Sequence, residues 1–177
     1  DAERAPKDLA GVAVPMTLEN AHPYVEGELV VPGRKPIKGK FVIDSGSSAA
    51  LLINPEVTER ESLASAFPRT LVGMSRGVGG DLKTRIGRGE SFSLGALTFS
   101  NPVVVMPEPA GHISAGGSIG NIGGQVLGRC RLTFDYSRST IRFEPDEKGR
   151  TLTSVRLSYN PPAGAIGHAV SRLFGAE

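Results

Sequence analysis

From Gly11 onward, short apolar runs recur between turn residues, a spacing that predicts a chain built mostly of strands. Residues 12–18 (VAVPMTL) alternate and carry Pro15, which suits an edge strand or a strand start. Residues 24–31 (YVEGELVV) alternate more clearly. Pro32-Gly33 then makes a turn, and Arg34, Lys35, Lys38 and Lys40 read as a solvated basic connection. The next strand, 40–43, runs into FVIDSGSSAALLI. There a polar island (Asp44, Ser45, Gly46, Ser47, Ser48) interrupts two apolar runs, the second being the buried stretch 49–53.

Asn54-Pro55 is a helix start, with Asn as the cap and Pro at the first helical position, and Pro68 stops that helix near Phe67. Strand-like pieces follow at 70–74, 82–86, 91–94, 97–99 and 102–106. The tract 107–121 is a Gly- and Pro-rich loop, and 124–130 suits a short helix. RLTFDY, a turn at residues 137–139 and TIRFE predict a β-hairpin over 131–144, closed by Pro145. The division expected is a polar leader at 1–10, one domain at 11–147, and a strand and helix extension at 148–177. In that extension Ile166, Val170, Leu173 and Phe174 share a helical face.

Composition narrows the function classes. A length of 177 residues suits one ordinary core. With a net charge of +2 and dispersed basic residues, there is no nucleic-acid footprint. Cys130 is the single cysteine, so an internal disulfide is impossible. His22, His112 and His168 lack metal-ligand spacing, and no apolar run reaches membrane-span length. The N-terminal DAERAPKD fits an export-processed end or a trimmed chain.

The polar island has two readings. Asp-Ser-Gly-Ser is good turn chemistry between strands. It also suits a catalytic carboxylate. Metal-free peptide hydrolysis needs a water made more basic and a carbonyl made more electrophilic, and two carboxylates sharing a proton can do both. In that case Gly46 allows the sharp turn, Ser45 ties the loop to a partner loop, and Ser47 bonds the outer oxygen of Asp44.

The order of motifs resembles the retropepsin-like aspartic proteases, especially their single-motif bacterial members. Asp44-Ser45-Gly46-Ser47 follows an apolar strand. Ile122-Gly123, an apolar–Gly pair, precedes a short helix. Phe134-Asp135-Tyr136 and Pro145 close the pattern, and Gly77, Val78, Gly79 and Gly80 stand where that family has its flap. The resemblance covers roughly residues 11–146. It implies an all-β, retropepsin-like closed β-barrel with one or two short helices, followed by a C-terminal helical tail. It further implies an aspartic endopeptidase acting on peptide or protein, with no cofactor and no metal. Family habit and the N-terminus also suggest export to a bacterial periplasm. Asn121 departs from the pattern, standing where an apolar residue is usual, and if buried it needs a hydrogen-bond partner. Gly128 and Cys130 likewise replace bulkier residues.

Of the six aspartates, Asp44 alone is followed by Ser/Thr-Gly. Two such loops must meet, so the reading implies a homodimer with Asp44 of each subunit at the twofold axis. Asp135 reads as a structural carboxylate at a hairpin turn. The competing class is a non-catalytic retropepsin-fold module that binds peptide or dimerises. Gly73-Met74-Ser75-Arg76-Gly77 also matches the serine-hydrolase elbow, but GVGGDLKT cannot readily continue as the helix an elbow requires.

Overall fold

A computed structural model describes residues 11–77, 80–108, 117–145 and 155–157. The polar leader, Val78, Gly79, most of the Gly-rich loop, and the extension other than 155–157 lie outside the described residues.

The chain opens with strands β1 (Val12–Glu19), β2 (His22–Val30) and β3 (Ile37–Ile43). The third begins earlier than the apolar run suggested. Lys38 and Lys40 therefore lie within a strand, not in the connection between strands. Cross-strand charge explains this: Lys38 faces Glu28 and pairs with it at 2.8 Å, and Lys40 pairs with Glu19 on β1. The Glu19 carboxylate also pushes the Lys40 pKa up.

The segment β4 (Leu51–Ile53) leads into α1 (Pro55–Arg60) and α2 (Leu63–Ala66). The single predicted helix is split because Ser62 adopts a left-handed conformation at φ 50°. Asn54 stands at the cap position, but its side chain makes no cap bond. Its amide donates instead to the Ser118 carbonyl at 2.8 Å and hydroxyl at 3.1 Å, in a buried contact. This pins the helix start to the chain entering the later strand β10.

A hairpin of β5 (Leu71–Gly77) and β6 (Gly80–Arg88) follows, then β7 (Ser91–Leu94), β8 (Leu97–Ser100) and β9 (Val103–Pro107). Beyond them lie β10 (Gly120–Ile122), α3 (Gly124–Leu127), the hairpin β11 (Cys130–Asp135) and β12 (Thr140–Pro145), and β13 (Val155–Leu157). The helix α3 is shorter than expected, and Cys130 is the buried first residue of β11.

The described strands join in the order β13-β11-β12-β1-β2-β3-β10-β4-β9-β6-β5, with β7 pairing on β2 and β8 pairing on β7. Because β1 pairs with β12, the start of the described chain lies beside residues 140–143. The expected closed barrel is not formed: among the described residues the path ends at β13 on one side and β5 on the other. The path stops at β5 because its one neighbour among the described strands is β6, and its Leu71, Val72 and Met74 are 61–72% exposed.

The core gathers inward-facing strand positions, among them Phe41, Ile43, Leu51, Ile53, Phe92, Ile122 and Phe143. Each fully buried side chain of this size contributes on the order of 1.5–3 kcal/mol. Phe41 and Phe92 meet edge to face with centroids 5.0 Å apart, so the strand that ends at Asp44 is anchored by aromatic packing.

Candidate active site

Three strands fix the position of Asp44. β10 lies between β3, to which it is parallel, and β4, to which it is antiparallel. The chain leaves β3 at Asp44, turns, and returns along β4. The Asp44 N–H donates to the Ile122 carbonyl at 2.9 Å, which extends the β3–β10 ladder by one residue. The Ser47 N–H donates to the Asp44 carbonyl at 3.2 Å and closes the turn. Ile43 faces the core and Asp44, one residue on, takes the opposite, partly exposed side.

The island is then locked from behind. The Gly123 N–H donates to the Ala50 carbonyl at 2.9 Å, Gly124 to Ser47 at 2.7 Å, and Gln125 to Ala49 at 3.2 Å. These N–H groups at the start of α3 would otherwise lack acceptors, and the loop supplies them. The Gln125 side chain adds a bond to the Ser48 carbonyl at 3.1 Å. Such close approach leaves no room for a side chain at Gly123, where a Cβ would sit 2.4 Å from the Ala49 carbonyl oxygen. The Ile122-Gly123 pair is thus directly behind the Asp44 loop, with Ile122 in the core and Gly123 against the loop backbone.

Both carboxylate oxygens of Asp44 accept hydrogen bonds. Oδ1 takes the Gly46 N–H at 3.0 Å, within its own turn. Oδ2 takes the side-chain amide of Asn121 at 2.9 Å. The sequence assigned the outer oxygen to Ser47, yet the Ser47 hydroxyl accepts the Ala49 N–H at 3.4 Å. Asn121 is the residue that motif reading missed as part of the site. Its signal was present as a polar side chain at an apolar position, and the partner it needed is Asp44.

The remaining candidates fall elsewhere. Gly77 and Gly80 face each other at the end of the β5–β6 hairpin. Asp135 is a structural carboxylate, as expected. It accepts the Ser137 hydroxyl at 2.6 Å, the Arg138 N–H at 3.1 Å and the Arg138 guanidinium at 2.8 Å. Gly73-Met74-Ser75-Arg76-Gly77 lies wholly within β5, which rules out the strand-turn-helix elbow of a serine hydrolase. Among the described residues, no three His, Cys, Asp or Glu side chains cluster as metal ligands, and no helix is long and apolar enough to cross a membrane. A cavity of about 340 Å³ lies between α1, α2 and the strand pair β6–β9, lined in part by Thr58, Arg85 and Met106. It does not include Asp44.

The aspartyl protease family profile matches residues 28–126, a span that contains both Asp44 and Ile122-Gly123. Among solved structures, a retropepsin-like aspartic protease from Rickettsia conorii shares 16% identity. The match covers 76% of this chain and 98% of that one, with a TM-score of 0.47. No curated protein matches the sequence. With more than half of its length matched by the family profile, the chain belongs to the aspartyl protease family.

Proposed function

We propose that the protein is an aspartic endopeptidase that hydrolyses peptide bonds as a homodimer, each subunit contributing Asp44. The observation that carries this reading is the Asp44 carboxylate itself. It is partly exposed at the end of a strand whose other face is buried in the core, and both of its oxygens are held by donors. A carboxylate fixed on a rigid scaffold is what positioned proton transfer requires.

In the mechanism, two Asp44 side chains share one proton, because two carboxylates brought within hydrogen-bonding reach do not both stay ionised. The ionised carboxylate takes a proton from water as that water attacks the peptide carbonyl. The protonated one donates to the carbonyl oxygen, and proton return to the nitrogen releases the amine. Gly46, with its N–H on Oδ1, keeps the carboxylate oriented, and Ser45 and Ser47 shape the loop. Ile122 and Gly123 form the support behind it. The end of the β5–β6 hairpin, at Gly77 and Gly80, serves as a flap over an extended peptide, which binds strand-like beneath it. The reaction needs neither metal nor organic cofactor, and the domain that performs it spans residues 11–147.

The test is Asp44→Asn, assayed with a diverse peptide library between about pH 3 and 7. Loss of cleavage with an unchanged fold and dimer is the expected result. Equal activity in wild type and variant would show that Asp44 is not catalytic. A dimeric wild type that cleaves nothing would point to the non-catalytic peptide-binding or dimerisation module.

A further inference from the structure

We propose that Asn121 is a positioning residue for Asp44, its side-chain amide fixing the outer carboxylate oxygen. This rests on the protease reading and names a residue of that same site.

Asn121 lies in register with Val42 on β3 and Leu52 on β4, so all three point to the partly exposed face and away from the core. From there its Nδ2 reaches Oδ2 of Asp44 at 2.9 Å. The strand that carries it cannot drift. Gly120 packs so closely that a Cβ would lie 2.0 Å from the Leu52 carbonyl, Ile122 is fully buried, and the Asp44 N–H is bonded to the Ile122 carbonyl. The amide is therefore aimed from a rigid strand.

Without Asn121, the Gly46 N–H would be the one donor left to the carboxylate among the described residues, leaving it freer to rotate about its Cβ–Cγ bond. With both donors, its plane is set before a second subunit or a substrate arrives. The amide has no charge to neutralise the carboxylate and leaves one lone pair on Oδ2 open to the partner carboxyl or to water. Preorganisation of this kind acts on the chemical step more than on substrate binding.

Two near-isosteric variants test the idea. Asn121→Leu keeps the volume and removes the donor. It should lower kcat about ten- to a hundredfold, the range for a bond to a charged group, with KM within about threefold of wild type. In Asn121→Asp the introduced carboxyl can donate only when protonated. That variant should be inactive near neutral pH and regain activity on acidification, a profile that a purely structural role would not produce. Wild-type turnover in Asn121→Leu, with wild type itself active, would overturn the proposal and leave the protease reading standing.

An NMR readout keeps the two separate. The side-chain amide resonance of Asn121 should move on Asp44→Asn whether or not peptide is cleaved. An unmoved resonance overturns the positioning role, whereas a wild type that cleaves nothing counts against the protease reading.

Discussion

Asp135 and Cys130 show how burial acts on two titratable groups outside the site. Burial opposes the Asp135 charge, but the Ser137 hydroxyl and the Arg138 guanidinium and N–H outweigh it, holding the carboxyl below its ordinary pKa. A carboxyl lowered in the folded state stabilises the fold above its unfolded pKa of about 3.9 and loses that stabilisation as pH falls through the lower folded value. Asp135→Asn should therefore cost about 1–3 kcal/mol near neutral pH, with the gap closing below about pH 4. Urea midpoints across that range measure it, and a gap independent of pH would contradict the sign. Burial pushes the Cys130 thiol up to about 11, with the Arg129 charge acting weakly the other way. The native protein should resist iodoacetamide at about pH 8, react once unfolded, and keep its activity after treatment. Native-state alkylation at the rate of a free thiol would be the contrary result.

At the scale of elements, the site depends on backbone contact between β10, β4 and the loop after β3. Gly120→Ala and Gly123→Ala should each destabilise by about 1–3 kcal/mol or more, since the added Cβ meets carbonyl oxygens and not flexible side chains. Thermal unfolding is the check, and melting temperatures within about one degree of wild type would disprove the close packing. The long alternating strands and the Asp44 turn were legible in the sequence because each carries a local signal, period-two burial or turn residues. The strand β10 was read as part of a loop, since Gly120-Asn121 has little strand propensity and is held by its two neighbours. The split between α1 and α2 was hidden for a similar reason: Ser62 takes a conformation that its residue type does not announce. Asn121 was visible as an anomaly, but its partner lies 77 residues away in sequence and only the fold brings them together.

For the whole molecule, the described sheet is open where a closed barrel was expected, and one chain holds one Asp-Ser-Gly loop. The single loop leaves the catalytic reading dependent on a second subunit, which would bring the other carboxylate to the site. Subunit mixing tests this directly. Wild type and Asp44→Asn are combined at fixed total concentration, allowed to exchange subunits, and assayed for peptide cleavage. If each site needs two Asp44 side chains, activity falls as the square of the wild-type fraction, because every mixed dimer is inactive. A fall in simple proportion to the wild-type fraction would mean that one chain suffices, and would contradict a site shared between two copies.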